Sequence, residues 1–364
     1  MRSPRVEKLD VTAYTVPTES FESDGTYEWK ETTLVIVQVQ SEAKKAIGYT
    51  YANTSTAKLI EDHLRDVVIG HDAMSPPALF TSMVHSIRNL GRPGICSMAI
   101  SAIDSALWDL KARLLELPLV RLFGQVRPAM PIYGSGGFTS YPIEKLQEQL
   151  GRWAKQKIQS VKMKIGRDAR ADVARVAAAR EAIGDDADLF VDANGAYTCK
   201  QALAQATRFS ESGVTWFEEP VSSDDLEGLR LMRERAPAGM EIAAGEYGYD
   251  ANYFRRMLEA NAVDVLQADA TRCGGFTGFL RAAALCDAQH LQLSAHCAPT
   301  LHLHIGCSVP AFRHGEYFYD HARIEKMLFE GFVEPINGGL QPDLTRAGMG
   351  LELKEADAEQ FRVR

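Results

Sequence analysis

This 364-residue chain contains no run of about 18 consecutive apolar residues, so a membrane-spanning helix is excluded. The start, Met1-Arg2-Ser3-Pro4-Arg5-Val6-Glu7, lacks an apolar segment behind its charges, so no secretory leader is expected and the reading is cytoplasmic. The six cysteines (Cys96, Cys199, Cys273, Cys286, Cys297 and Cys307) include no C-x-x-C pair. Scattered thiols suit a reducing compartment better than a disulfide framework or a zinc knuckle. Positive charge is in deficit: the net charge of -8 argues against nucleic-acid or anionic-membrane partners. No G-x-G-x-x-G follows any strand-like run, which counts against a dinucleotide-binding fold.

What remains is a globular composition in a chain long for one core, so two domains or a barrel with additions are expected. The first part reads as α+β. Residues 6–16 and 32–40 alternate as strands, and the polar stretch 18–30 between them, with Gly25, Phe21, Tyr27 and Trp29, reads as a loop, either a connection or a lid. Ser55 or Thr56 is expected to cap a helix over 57–69 that stops at Gly70, and a second helix is expected after Pro77. A third, over 98–117, carries Ile100, Ile103, Leu107, Leu110 and Leu114 on one stripe before Pro118.

From about residue 130 short apolar strands alternate with helical patterns. The strand candidates are 130–133, 160–164, 189–192, 214–218, 242–246, 263–269, 291–296 and 313–318; helices are expected over 171–183, 200–211, 226–234, 252–259 and 278–289. Such alternation implies βα units and a parallel sheet, and eight strands fit a (β/α)-barrel of the TIM type. The expected fold is therefore α/β: an α+β capping domain over 1–128, the barrel over 129–320, and an irregular segment over 321–364 packing back on the capping domain.

Apolar runs repeatedly end in a functional group: Lys162-x-Lys164, Asp192-Ala193-Asn194, Glu218-Glu219-Pro220, Gly245-Glu246, Asp269 and His296. One polar strand end is a turn residue. A series of them in a parallel barrel opens on one mouth, where such barrels do their chemistry. Period 2 puts Lys162 and Lys164 on one strand face, which requires compensating negative charge if that face is buried. Asp192, Glu218 and Glu246 would converge there and repel one another without a divalent cation; oxygen-only ligands favour Mg²⁺, with Mn²⁺ second and zinc disfavoured. Glu218 is preferred to Glu219 because alternate residues face opposite ways. His302-x-His304 falls in a helical stretch where i and i+2 diverge, and reads as structural.

The order K-x-K, D-x-N, E-E-P, G-E, D and H resembles the enolase superfamily, specifically its mandelate racemase group, over essentially the whole chain. The resemblance implies Mg²⁺ on Asp192, Glu218 and Glu246. It implies Lys164 as general base, with Lys162 lowering its pKa and helping to hold a substrate carboxylate. It further implies His296 as acid/base on the opposite face, Asp269 orienting that imidazole, Glu316 hydrogen-bonding an enediolate oxygen, and Asn194 touching substrate. The expected activity is α-proton abstraction from a small-molecule carboxylate and dehydration of an aldonate or aldarate to a 2-keto-3-deoxy acid, by a homo-oligomer. Racemisation or epimerisation of a 2-hydroxy acid is the nearest alternative. Lactone-forming and dipeptide-epimerising chemistries rank lower, because those relatives place a second lysine where this chain has Asp269 and His296. A Schiff-base aldolase using Lys164, or a barrel that only binds ligand, represents other classes.

Overall fold

The computed structural model describes residues 3–363. It opens with an antiparallel meander of β1 (Lys8–Ser23), β2 (Glu28–Ser41) and β3 (Lys44–Tyr51). The run Leu34-Val35-Ile36-Val37 is apolar throughout because β2 is buried on both sides. Val35 and Val37 join Ala99, Ile103 and Leu110 of the helix Ile95–Leu114, while Leu34 and Ile36 join the larger core.

The stretch 18–30 differs from its reading as a loop. β1 and β2 extend through it as a hairpin, with a pairing shift between Pro17 and Glu22 and renewed pairs Glu22↔Trp29 and Ser23↔Glu28. The turn is fixed by Asp24, whose Oδ1 accepts from the amides of Thr26 and Tyr27, each at 2.7 Å. Its polar composition hid the strands, because this tip is held by contacts from elsewhere in the chain. Ser23 O accepts from Thr139 N at 2.8 Å and Ser23 Oγ meets Thr139 Oγ1 at 2.6 Å.

The first helical run also starts differently. It begins at Ser55 behind Thr54, neither Ser55 nor Thr56 caps it, and the Ser55 amide is held by Asn53 Oδ1 at 3.0 Å. Its middle, Ile60–Leu64, is π-helical. The next helix is Pro76–Ser86. The long helix Ile95–Leu114 begins after Gly94 (φ 79) and ends three residues short of the expected 117, consistent with the restriction Pro118 imposes on Leu117.

The barrel consists of β4 (Met130–Gly136), β5 (Ser160–Lys164), β6 (Asp188–Asp192), β7 (Val214–Glu218), β8 (Glu241–Ala244), β9 (Val265–Ala268), β10 (Gln292–Ala295) and β11 (Phe312–Phe318). All neighbours are parallel, and β11 pairs with β4 to close the cylinder. Helices follow each strand and bury their apolar faces against its outside. Inside, Tyr133, Phe190, Trp216, Ala243 and Val265 form a plug, with Phe190 and Trp216 stacked at 5.2 Å.

Beyond β11 the chain is not irregular at once: Tyr319–Leu328 is a helix whose Ala322, Ile324 and Leu328 are buried. The tail after it makes a strand pairing of its own and donates backbone hydrogen bonds to earlier elements. Phe329–Glu330 pairs with Glu352–Leu353, Met349 N donates to Asp109 Oδ1 at 2.6 Å, and Val363 N to Ala13 O at 2.9 Å. Among the described residues no helix is long and apolar enough to cross a membrane.

Candidate active site

Five of the sequence-selected residues lie within strands: Lys162 and Lys164 on β5, Asp192 on β6, Glu218 on β7 and Glu316 on β11. Glu246, Asp269 and His296 follow the ends of β8, β9 and β10, and Asn194 follows β6. The parallel register sets Lys164 beside Asp192 and Asp192 beside Glu218, so a single layer of the barrel carries an ammonium and two carboxylates. The aromatic plug lies one layer below and supports Lys162, whose Nζ is 5.4 Å from the centre of the Tyr133 ring.

Eight of these residues are buried and form one contiguous network. Lys162 Nζ is 2.5 Å from Glu218 Oε1, 2.8 Å from Glu316 Oε1 and 3.4 Å from Asp192 Oδ2. Lys164 Nζ contacts Asp192 Oδ2. Trp216 Nε1 donates to the other Glu218 oxygen at 3.0 Å. On the far side, His296 Nδ1 meets Asp269 Oδ2 at 2.8 Å, and Nε2 faces Glu246 Oε2 at 3.2 Å. Asn194 is half-buried, in a left-handed conformation (φ 46), with its amide on Asp192 Oδ1 at 2.9 Å and its Oδ1 unpartnered.

One oxygen from each of Asp192, Glu218 and Glu246 lies within 4.8 Å of the others. Glu246 Oε2 is buried with no hydrogen-bond donor. Three convergent carboxylates with an unsatisfied oxygen fit a hard divalent cation such as Mg²⁺. The wider charge balance points the same way. Asp192, Glu218, Glu219, Glu246, Asp269 and Glu316 are all buried, against three basic side chains, Lys162, Lys164 and Arg272.

The electrostatics of the site without a cation set the charge of three groups. Burial of the Lys164 amine works toward the neutral form and Lys162 pulls the same way, but Asp192 and Glu246 outweigh both and hold Lys164 protonated. Lys162 acts in the expected direction, against the carboxylates Asp192 and Glu246. For Glu316, burial favours the neutral form, but Lys162 and His296 pull its pKa well below the usual carboxylate range. Its oxygens accept from Ser135 Oγ at 2.6 Å and Cys297 N at 2.9 Å. For His296, burial disfavours the charged ring, yet Glu246 and Asp269 outweigh it and raise its pKa.

His302 and His304 sit in the helix Pro299–Gly306 and are structural in geometry. His302 Nε2 accepts from Ala270 N at 2.9 Å, which braces the loop of Asp269. His304 bridges Val120 N (3.2 Å) and Met349 O (3.1 Å).

Sequence reasoning missed three neighbours. Glu219 was read as facing away, but β7 ends at Glu218. Glu219 has φ 38 and is buried with Oε1 unpartnered, and burial together with the charges of Glu246 and Asp192 raises its pKa. Arg272 reaches Glu246 Oε1 at 3.4 Å and Asp269 Oδ2 at 3.6 Å; its i,i+3 spacing from Asp269 was the available signal. Cys297 Sγ lies 3.2 Å from His296 Nε2.

The mouth is covered by the β1–β2 turn. Gly25 sits so close that a Cβ there would fall 2.7 Å from Ile165 O and 2.5 Å from Ala193 O, on the loops following Lys164 and Asp192.

Comparison with known proteins agrees with this architecture. Residues 145–357 match the enolase C-terminal domain-like family, and residues 18–124 the mandelate racemase / muconate lactonizing enzyme N-terminal domain. A 3,6-anhydro-alpha-L-galactonate cycloisomerase from Streptomyces coelicolor is 33% identical over 313 residues, covering 84% of this chain and 86% of the relative. L-talarate/galactarate dehydratase from Salmonella typhimurium is 29% identical over 331 residues, covering 89% and 81%. The crystal structure of that dehydratase with Mg and L-lyxarohydroxamate superimposes with a TM-score of 0.90, at 26% identity, covering 100% of this chain and 94% of that one. A mandelate racemase/muconate lactonizing enzyme-like protein from Rubrobacter xylanophilus superimposes with a TM-score of 0.97 at 52% identity, covering 99% and 100%.

Proposed function

The chain belongs to the enolase superfamily, in its mandelate racemase / muconate lactonizing enzyme family, and from that premise we propose that it is a Mg²⁺-dependent dehydratase of an acid sugar. The observation that carries the reading is the pairing of Lys164 and His296 from strands on opposite sides of the barrel, flanking the carboxylates Asp192, Glu218 and Glu246. That arrangement suits a substrate carboxylate held between two proton-transfer groups. The cycloisomerase and dehydratase relatives act on acid sugars by name, which supports the same substrate class.

The residues divide the work as follows. Lys162, buried and ion-paired, presents fixed positive charge beside the substrate carboxylate. Lys164 removes the α-proton, which requires a neutral amine and therefore relief from the charge of Asp192. Asp192, Glu218 and Glu246 would hold magnesium, which would supply that relief and offset the negative charge developing on the carboxylate oxygens. Asp269 accepts from Nδ1–H of His296, leaving Nε2 as the working nitrogen. Protonated His296 gives its Nε2 proton to the departing β-hydroxyl, the C–O bond breaks and water leaves. The resulting enol becomes the 2-keto-3-deoxy acid. Asn194, with its free Oδ1, is positioned to accept from a substrate hydroxyl.

A panel of aldonates and aldarates with the Mg²⁺-loaded protein in D₂O tests this, reading 2-keto acid and α-hydrogen exchange together. Keto acid from one or a few sugars is the expected result. Exchange with inversion and no keto acid would make the protein a racemase, with His296 protonating the α-carbon instead. Ring closure without loss of water would align it with the cycloisomerase, and silence across the panel would sink the acid-sugar assignment.

A further inference from the structure

We propose a second cation site at the barrel mouth, built from His296 Nε2, Cys297 Sγ and Glu316 Oε2, that takes a thiophilic divalent ion of the zinc type. The three donor atoms lie within 4.8 Å of one another and all three residues are buried. This set shares no ligand with Asp192, Glu218 and Glu246, and its chemistry is different. Nitrogen, sulfur and one oxygen select a borderline ion, whereas three carboxylates select a hard one.

The spacing fits a tetrahedral ion. Zinc bond lengths of about 2.0–2.1 Å to nitrogen and oxygen and about 2.3 Å to sulfur imply edges of roughly 3.3 Å for N···O and 3.6 Å for N···S. The corresponding separations are 3.8 Å from His296 Nε2 to Glu316 Oε2 and 3.2 Å from Nε2 to Cys297 Sγ. Small side-chain rotations close the difference. Asp269 Oδ2, 2.8 Å from His296 Nδ1, supplies the carboxylate behind a metal-bound histidine that fixes the tautomer and leaves Nε2 free to ligate. Glu316 Oε1 is engaged by Lys162 and Ser135, but Oε2 accepts only the Cys297 amide and retains a lone pair. The three protein ligands leave the fourth position of a tetrahedral ion for a small exogenous ligand.

Binding exchanges the Cys297 S–H bond for a sulfur–metal bond, and the thiol proton leaves to the buffer. The ion occupies the nitrogen assigned above to proton transfer, so the site is inhibitory. That consequence rests on the proposed function; the existence of the site does not.

The test is a cobalt(II) titration of the protein saturated with Mg²⁺, followed by its near-ultraviolet thiolate-to-cobalt charge-transfer band. The band is expected in the wild type and in Cys199→Ala, which removes the one half-exposed thiol. It is expected to be absent in Cys297→Ala and in the near-isosteric Cys297→Ser, and to vanish when zinc displaces cobalt. Zinc affinity by competition should fall by about 100-fold or more in Cys297→Ser, as expected for loss of a metal-holding interaction. A wild-type protein without the band, or a band that survives in both Cys297 variants, overturns the site. A band accompanied by unchanged turnover would keep the site and overturn only the role of His296.

Discussion

Replacing Gly25 by alanine should unseat the cover of the site. The added methyl would lie 2.5 Å from Ala193 O, 2.7 Å from Ile165 O and 3.0 Å from Ala196 Cβ, where ordinary contact begins near 3.4 Å. The two oxygens are backbone atoms, and the loops carrying them are tied together by Ile165 N to Asp192 O at 2.9 Å. The hairpin tip therefore has to move, by about an ångström, against Thr139, which holds Ser23 and Asp24. Overpacking of this kind costs about 1–3 kcal/mol. If half of that appears as poorer closure over bound substrate, kcat/KM falls by about two- to tenfold. Steady-state kinetics should show that loss with magnesium affinity unchanged. Trp29 emission should shift to the red as its edge contact with Phe138 (5.3 Å) and its bond to Glu22 (2.9 Å) loosen, with Trp29→Phe identifying the signal. Wild-type kcat/KM and emission in the Gly25→Ala protein would refute the idea that this turn seals the mouth.

Lys162→Met leaves Glu218 and Glu316 buried without their ammonium partner, which should cost about 3–5 kcal/mol in urea unfolding; a variant as stable as the wild type would show that Lys162 does not neutralise them. Magnesium at about 100 times its dissociation constant should add about 2.7 kcal/mol of stability, lost on chelation and absent from an Asp192→Asn/Glu246→Gln protein. Burial lowers the pKa of His304 to about 4. The unfolded chain, with an ordinary value of about 6.5, then binds this proton first as pH falls, so stability is full above about 6.5 and drops by roughly 3 kcal/mol toward pH 4. Denaturant midpoints across that window should flatten in His304→Gln, and an unchanged slope would contradict the neutral, bridging histidine.

The barrel was legible because parallel strands buried on both sides read as apolar runs, and each run broke where the chain reached the mouth. Ser160–Lys164 and Val214–Glu218 match their expected spans residue for residue. The shorter β8, β9 and β10 leave Glu246, Asp269 and His296 just beyond their ends, a difference that no local pattern encodes. The β1–β2 tip was illegible for a physical reason. Its polar residues satisfy a strand only through Thr139 and the loops after Lys164 and Asp192, which are distant in sequence. Glu219 and Cys297 escaped notice because left-handed backbone at both (φ 38 and 50) turns their side chains toward the site, against simple alternation. The charge state of Lys164 depends on the balance between burial and Asp192, which only three-dimensional distances can decide.

The most direct test of the central claim follows α-hydrogen exchange by NMR in D₂O with a turned-over acid sugar, comparing wild type, Lys164→Ala and His296→Asn. The account predicts exchange and keto acid in the wild type and neither in Lys164→Ala. In His296→Asn it predicts exchange persisting while elimination fails, with magnesium binding retained in all three proteins. Exchange or keto acid at the wild-type rate in Lys164→Ala would contradict it.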